Sequence, residues 1–121
     1  MSPITKDILF VDDNASLRHM IANLLRDREY QVHEAKDAQD ALRLIKQDPF
    51  DVVITDLVLP GSLNGIDILV HHSRLSPGKG RILFTAFPSR QLPKICAYIG
   101  ARYLPKPASL HELIRVIEDR S

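Results

Sequence analysis

The sequence predicts an α/β fold, a (βα)₅ doubly wound sheet of five parallel strands, and three observations support this prediction. Short apolar runs alternate with segments whose apolar residues recur at helical spacing. The runs are rich in β-branched residues, which is typical of strands buried on both faces of a parallel sheet. Four of the five runs end in a polar side chain or are directly followed by one. Such strands are joined by right-handed crossovers, which place helices on both faces of the sheet.

The strands are predicted from the positions of the apolar runs. The third run, Val52-Val53-Ile54-Thr55-Asp56, is the most apolar and ends in a carboxylate, so we expect it at the centre of the sheet. The second run, Gln31–Ala35, is more polar and suits an edge. The five predicted strands cover residues 7–11, 31–35, 52–56, 81–85 and 101–105.

Each strand is followed by a helix with a recognisable first residue. Asn14 and Asp37 are good N-caps, and Ser109 with Glu112 has the spacing of a capping box. The third helix is expected to open at Asn64-Gly65, and a short fourth helix near Pro93, with Gly100 after its end. In the first helix the residues expected to face the sheet are Leu17, Met20, Ile21, Leu24 and Leu25.

Composition limits the class of protein. A chain of 121 residues with 45% hydrophobic and 26% charged residues is expected to form one globular domain over residues 1–121. A net charge of +1 with both signs interspersed argues against direct nucleic-acid contact. The single cysteine, Cys96, excludes a disulfide framework and is expected to be a small buried apolar residue. With no apolar stretch of membrane-spanning length and no signal-peptide pattern, we expect a cytoplasmic protein without membrane contact.

Polar residues at the strand ends are predicted to converge. Asp12 and Asp13 follow the first strand, Asp56 ends the third, Thr85 ends the fourth and Lys106 follows the fifth. Two carboxylates about 4 Å apart repel by roughly 4 kcal/mol at an effective dielectric near 20, so three need positive partners. Lys106 supplies one charge, and Mg²⁺, which binds carboxylates and phosphate oxygens, could supply the rest. A hydroxyl and an ammonium beside the metal form a cradle for a phosphoryl group.

Four stretches of the sequence resemble the receiver domain of bacterial two-component response regulators, of the chemotaxis-regulator type. They occur in the family's order along the whole chain: Ile8-Leu9-Phe10-Val11-Asp12-Asp13, Val53-Ile54-Thr55-Asp56-Leu57-Val58-Leu59-Pro60, Thr85-Ala86 and Tyr103-Leu104-Pro105-Lys106-Pro107. The resemblance implies a flavodoxin-like fold with strand order 2-1-3-4-5. It also implies a phosphorylation-controlled signalling switch rather than an enzyme, although such a domain promotes its own phosphorylation and dephosphorylation.

The resemblance also implies a role for each matching residue. Asp56 would become an aspartyl phosphate. The implied Mg²⁺ ligands are Asp12, Asp13, Asp56 and the backbone carbonyl of Val58. Thr85 would donate a hydrogen bond to the phosphoryl group in the active state, Lys106 would pair with it, and Tyr103 occupies the position of the family's switch aromatic.

The partners implied by the family are a sensor histidine kinase or a histidine phosphotransfer protein as phosphoryl donor, and a downstream protein target. Phosphorylation-linked homodimerisation is a further expectation. The sequence identifies neither the kinase nor the target, and it is compatible with a receiver acting alone or as part of a longer regulator.

Two departures from the family pattern stand out. The loop Pro60–Gly65 carries an extra residue and lacks the acid that usually precedes its last glycine. Pro88 and Pro93 interrupt the stretch through which the family propagates its switch.

Alternative interpretations remain open at this point. A phosphatase of the haloacid dehalogenase type also uses a strand-end aspartate, but it needs a second acid where Val58 stands. A phosphorylation-independent binding module is the third hypothesis. A flavodoxin-type cofactor protein is excluded because the carboxylates of Asp12 and Asp13 would repel its phosphate. His71-His72 is not a metal motif, because neighbours on a helix point apart.

Overall fold

The computed structural model describes residues 6–119, and strands and helices alternate throughout. The strands are β1 (Asp7–Val11), β2 (Gln31–Ala35), β3 (Val52–Thr55), β4 (Gly80–Thr85) and β5 (Arg102–Pro105). The helices are α1 (Ala15–Arg26), α2 (Ala38–Gln47), α3 (Gly65–Leu75), α4 (Leu92–Ile99) and α5 (Leu110–Glu118). Every predicted element is present, with bounds that differ from the sequence prediction by a residue or so.

The five strands form one parallel sheet in the order β2-β1-β3-β4-β5, as the resemblance implied. β1 and β3 are central, and their registers align Val11 with Thr55 and Thr55 with Leu83. Thr85 is aligned with Pro105 at the end of β4. The strands therefore end close together at one edge of the sheet, and the residues that follow them are neighbours.

Two hydrophobic clusters cover the two faces of the sheet. Alternate residues of a strand point to opposite faces, so Leu9 and Val53 belong to one cluster while Ile8 and Ile54 belong to the other. The first cluster packs against α2, α3 and α4, and includes the buried thiol of Cys96. The second packs against α1 and α5.

Helix starts follow the predicted caps. The side chains of Asn14, Asp37 and Ser109 each accept a hydrogen bond from a backbone N–H in the first turn. The complete capping box, however, lies at α3, where Asn64 and Asp67 exchange side-chain and backbone hydrogen bonds. Asn64, which stands where the family usually has an acid before this glycine, is therefore the N-cap of α3.

The prediction that Met20 and Leu24 face the sheet is wrong. Met20 is 53% exposed and Leu24 38% exposed, whereas Ile21, Ala22 and Leu25 are buried. The buried stripe of α1 thus runs through Ile21, Ala22 and Leu25 and leaves Met20 at its margin. None of the helices within residues 6–119 has the length and apolar character needed to cross a membrane.

A buried polar cluster lies at the amino ends of the strands. His72 of α3 is fully buried, and its Nε2 lies 3.0 Å from the carbonyl oxygen of Phe50. Because a carbonyl only accepts, Nε2 carries the proton and Nδ1 accepts from the guanidinium of Arg81 at 3.2 Å. Arg81 also donates to the carbonyl of Ser76, where α3 ends. This guanidinium is placed favourably at the negative end of a helix dipole.

Candidate functional site

Four of the predicted site residues meet at the carboxyl edge of the sheet. Backbone hydrogen bonds extend the strand pairing beyond the strands: Asp56 N–H donates to Val11 O at 3.1 Å, and Lys106 N–H donates to Thr85 O at 2.9 Å. These bonds bring the side chains of Asp12, Asp56, Thr85 and Lys106 together.

Lys106 joins the two carboxylates of the site. Its Nζ lies 2.7 Å from Oδ2 of Asp12 and 3.0 Å from Oδ2 of Asp56. The Lys106 side chain is 15% exposed, that of Asp12 is 3% exposed and that of Asp56 is 17% exposed. One ammonium therefore faces two carboxylates in a largely desolvated place, so one negative charge is left uncompensated.

The environment keeps Lys106 protonated. Burial acts to lower the pKa of this ammonium, but hydrogen bonds and charge from Asp12 and Asp56 outweigh burial and raise it. The Nζ atom also lies 5.2 Å from the centre of the Phe84 ring, a distance at which the ring face attracts a cation. Lys106 is thus a fixed positive charge rather than a mobile surface lysine, and its peptide bond to Pro107 is cis.

Asp56 has both carboxylate oxygens engaged. Thr85 Oγ1 donates to Oδ1 at 2.6 Å, while Oδ2 pairs with Lys106. Thr85 is itself buried, and its hydroxyl accepts from the backbone N–H of Phe87 at 3.2 Å. Thr85 was expected to contact the phosphorylated residue in the active state; in this structure its hydroxyl already contacts the carboxylate that would be phosphorylated.

The backbone of Asp56 is held from two sides. Thr55 Oγ1 donates to the carbonyl of Asp56 at 2.8 Å. Gly65 packs so closely beneath that carbonyl that a Cβ at Gly65 would lie 2.0 Å from the oxygen. Gly65 also donates its N–H to Leu57 O at 2.8 Å. A side chain at position 65 would therefore displace the loop that follows the central strand.

Asp12 and Asp13 occupy different environments. Asp12 is buried; its Oδ1 accepts from the backbone N–H of Asn14 at 2.9 Å and its Oδ2 from Lys106. Asp13 is exposed, and its side chain makes no hydrogen bond or ion pair within residues 6–119. Val58, whose carbonyl was the fourth implied ligand, is 57% exposed.

The predicted metal ligands are not gathered into a ready-made cluster. No group of three or more His, Cys, Asp or Glu side chains in the described part of the chain is arranged to hold a metal ion. The donor set nevertheless has the right chemistry: carboxylate oxygens with an excess of negative charge and an exposed acid beside them fit a hard divalent cation.

The remaining predicted features lie around this site. Tyr103 is partly buried and packs against the cluster on the face of α2, α3 and α4. The loop with the extra residue is exposed from Pro60 to Asn64, and Gly61 adopts φ +97°. Pro93 lies in the first turn of α4, and Gly100 ends this helix at φ +74°.

Two residues of the site were not predicted from the sequence. Arg18 donates from its NH1 to the backbone carbonyl of Asp12 at 2.8 Å, and its guanidinium lies between α1 and β2. Gly65 opens α3 as predicted, and it also packs against the backbone carbonyl of Asp56, which was not predicted. An arginine on a helix face and a glycine at a helix start are both too common to be recognised without the structure.

Comparison with known proteins agrees with this arrangement. The family model described as "Response regulator receiver domain" matches residues 8–118. The transcriptional regulatory protein PdtaR of Mycobacterium tuberculosis is 34% identical over 95% of this chain, but the chain spans only 56% of that protein. The response regulator receiver protein CpdR of Brucella abortus is 27% identical, with 93% of this chain and 94% of CpdR covered.

Solved structures show the same fold. A CheY-like receiver domain protein from Methanospirillum hungatei superposes with a TM-score of 0.88 at 28% identity, covering 95% of this chain and 92% of that one. A response regulator from Burkholderia pseudomallei, which contains a phosphorylated aspartic acid, a calcium ion and citrate, has a TM-score of 0.86 at 26% identity over 93% of this chain and 66% of that one. By its sequence match and its strand order, the chain belongs to the family of response regulator receiver domains.

Proposed function

We propose that this domain is a phosphorylation-controlled signalling switch that accepts a phosphoryl group on Asp56. One observation carries the proposal: the Asp56 carboxylate is held between the hydroxyl of Thr85 and the ammonium of Lys106, at the carboxyl edge of the sheet. Open α/β sheets bind their ligands at this edge. The carboxylate is fixed but still 17% exposed, so a phosphoryl donor can reach it.

The proposed reaction uses Asp56 as the nucleophile. A carboxylate oxygen attacks the phosphorus of the donor, the bond from phosphorus to the donor's nitrogen or oxygen breaks, and the leaving group takes that electron pair. Lys106 and Thr85, which contact the Asp56 carboxylate, would stabilise the charge on the phosphoryl oxygens of the product. They act by position and electrostatics, which is the main contribution that proteins make to phosphoryl transfer.

We propose Mg²⁺ as the cofactor. Asp12, Asp13, Asp56 and the backbone carbonyl of Val58 would hold it, and when bound it would neutralise charge on the phosphoryl oxygens. The uncompensated negative charge around Lys106 supports this assignment. So does the calcium ion in the phosphorylated relative from Burkholderia pseudomallei.

The proposed phosphoryl donor is a sensor histidine kinase or a histidine phosphotransfer protein, and the proposed output is docking to a downstream protein. Thr85 and Tyr103 would couple phosphorylation to a change of docking surface, with homodimerisation as one form of output. The buried free thiol of Cys96 supports a reducing, cytoplasmic location. We treat residues 1–121 as one receiver domain, without direct nucleic-acid or membrane contact.

The haloacid dehalogenase alternative is not supported. Val58 occupies the position at which that class needs its second acid, and its side chain cannot donate or accept a proton. A phosphorylation-independent module is also disfavoured, because Asp56, Thr85 and Lys106 are all present and in contact.

Acetyl phosphate tests the proposal directly. In the presence of Mg²⁺ the protein should gain one phosphoryl group that survives acid and is lost in base, as expected of an acyl phosphate. Intact-protein mass spectrometry measures this, and EDTA is the control for metal dependence. Absence of any adduct with Mg²⁺ present, or an adduct that is stable to base, would contradict the proposal.

A further inference from the structure

The backbone of Asp12 is held at its N–H by β2 directly and at its carbonyl by Arg18 of α1, which pairs with β2. Its N–H donates to the carbonyl of Ala35 at 3.1 Å. Its carbonyl accepts from NH1 of Arg18 at 2.8 Å, and Nε of the same guanidinium donates to Oε1 of Glu34 at 3.1 Å. The peptide that joins Asp12 to Asp13 is therefore fixed through Arg18 to the edge strand.

Glu34 is itself firmly held. Its carboxylate receives Arg18 on one oxygen and Arg26 on the other, each at 3.1 Å, and Nδ1 of His19 lies 2.6 Å away. Burial acts to raise the pKa of this carboxyl, but the hydrogen bonds from Arg18 and Arg26 and the nearby charges outweigh burial and lower it. With only 16% of its side chain exposed, Glu34 is a rigid, ionised anchor for Arg18.

The carboxylates of Asp12 and Asp13 differ in how they are held. The carboxylate of Asp12 is fixed by Asn14 and Lys106, whereas that of Asp13 contacts no described residue through a hydrogen bond or ion pair. The peptide before Asp13 fixes where the Cα of Asp13 lies, and with it the point from which this side chain extends. That peptide's oxygen is the atom that Arg18 holds.

We propose that Arg18, anchored by Glu34, is a positioning residue that presents Asp13 to the divalent cation. This inference rests on the proposed function, since it concerns the same cation. Arg18 suits the task because a planar guanidinium can donate to a carbonyl and a carboxylate at once in a fixed geometry. A purely structural role, in which Arg18 only fastens α1 to β2, is the competing explanation.

Arg26 provides a matched control for the structural role. It also lies on α1, pairs with Glu34 at 3.1 Å and donates to the backbone carbonyl of Val32 at 2.7 Å. It therefore fastens the same helix to the same strand through the same carboxylate. Unlike Arg18, it makes no hydrogen bond to Asp12.

The experiment compares Arg18→Gln with Arg26→Gln. Titration calorimetry gives the Mg²⁺ dissociation constant, and urea unfolding without metal gives the stability of each variant. We expect Arg18→Gln to weaken Mg²⁺ binding by about 10- to 100-fold, the usual range for residues that orient a metal ligand. Arg26→Gln should lose a similar amount of stability and keep the wild-type dissociation constant. Arg18→Lys is the second variant, because it keeps the charge but lacks the planar fork whose separate nitrogens donate to the carbonyl and the carboxylate.

The outcomes separate the inference from the function on which it rests. Equal Mg²⁺ affinity in wild type, Arg26→Gln and either Arg18 variant would overturn the positioning role and leave the proposed function intact. Equal weakening in the Arg18 and Arg26 variants would also overturn it, because the effect would then follow helix attachment. A wild-type protein that binds no Mg²⁺ would contradict the proposed cofactor and the positioning role together.

Discussion

The two edges of the sheet place similar chemical groups in opposite situations. β3 is preceded by Asp51 and followed by Asp56, and each carboxylate lies 3.0 Å from a lysine. At the amino edge the pair of Asp51 and Lys79 is exposed by 31% and 46%, respectively. At the carboxyl edge the pair of Asp56 and Lys106 is exposed by only 17% and 15%. The same pairing is therefore solvated at one end of the strand and largely desolvated at the other.

Charge balance differs as well. At the amino edge Asp51 accepts from Lys79 and from the backbone N–H of Asp7 at 2.8 Å, so one carboxylate has one cation. At the carboxyl edge two carboxylates share Lys106, and exposed Asp13 adds a third acid. An imbalance in a desolvated place costs stability, and it favours binding of a cation or reaction with an electrophile. Asp51 is thus balanced as a structural carboxylate would be, whereas Asp56 has the imbalance expected of the proposed phosphoryl acceptor.

The largest expected contrast is between Asp56→Asn and Asp51→Asn in the acetyl phosphate reaction. Asp56→Asn should abolish the adduct, because an amide cannot serve as the nucleophile. Asp51→Asn should keep the wild-type extent of labelling, since its carboxylate lies at the other edge. Mass spectrometry after a fixed reaction time measures both. Labelling of Asp56→Asn at the wild-type level would show that another residue is the acceptor.

Replacing the lysine at each edge should show the difference in burial as a difference in lost stability. Lys106→Met leaves Asp12 and Asp56 facing each other without a cation, and breaking such a pair costs about 3 kcal/mol. Lys79→Met breaks an exposed pair and should cost no more than about 1 kcal/mol. Urea unfolding of both variants measures these losses. Mg²⁺ should restore part of the stability of Lys106→Met, and equal losses in the two variants would contradict the contrast.

Substitutions at Thr85 test whether the hydrogen bond from its hydroxyl to Asp56 transmits the signal. Thr85→Ala should still accept phosphate but respond weakly, because a hydrogen bond to a charged group contributes about 1.5–3 kcal/mol, or roughly ten- to a hundredfold in a conformational ratio. Thr85→Ser keeps the hydroxyl and is the matched control. Backbone NMR shifts on phosphorylation, followed over residues 92–103, measure the response. Shifts as large in Thr85→Ala as in Thr85→Ser would assign the coupling to another residue.

Most of the fold could be predicted from the sequence because its signals are local. The apolar runs of β1 and β3, the caps at Asn14 and Asp37, and Gly100 after α4 each act within a few residues. The convergence of polar strand ends is also predictable, since parallel strands of a doubly wound sheet end at one edge. Asp56 and Lys106 were therefore identified although 50 residues separate them.

The contacts that depend on packing could not be predicted in this way. The link from Arg18 to the Asp12 carbonyl and the exposure of Met20 both depend on how α1 lies against the sheet. The approach of Gly65 to the Asp56 carbonyl is set by the path of the loop between them. A helical spacing of apolar residues gives the direction of a stripe only to within about one position.

His72 shows the same limit, because its position on a helix does not reveal that it is sealed against Phe50 and Arg81. Burial is the main cause that lowers its pKa from the ordinary 6.5, and the charges of Arg81 and Lys79 lower it further, against the opposing hydrogen bond to Phe50. Below pH 6.5 the unfolded chain therefore binds a proton at His72 that the folded chain resists.

The smallest expected effect is the pH dependence that follows from this resistance. The contribution of His72 to stability is complete above pH 6.5 and is lost as the pH falls toward its lower folded-state pKa, with a slope of at most about 1.4 kcal/mol per pH unit. His72→Gln should flatten this part of the curve of unfolding free energy against pH. His71→Gln, which alters the exposed neighbour, should keep the wild-type slope. The difference between the two variants is the quantity to measure, because it removes what the rest of the chain contributes to the pH dependence. Parallel curves for both would show that the buried polar cluster at the amino ends of the strands tolerates a charged imidazole.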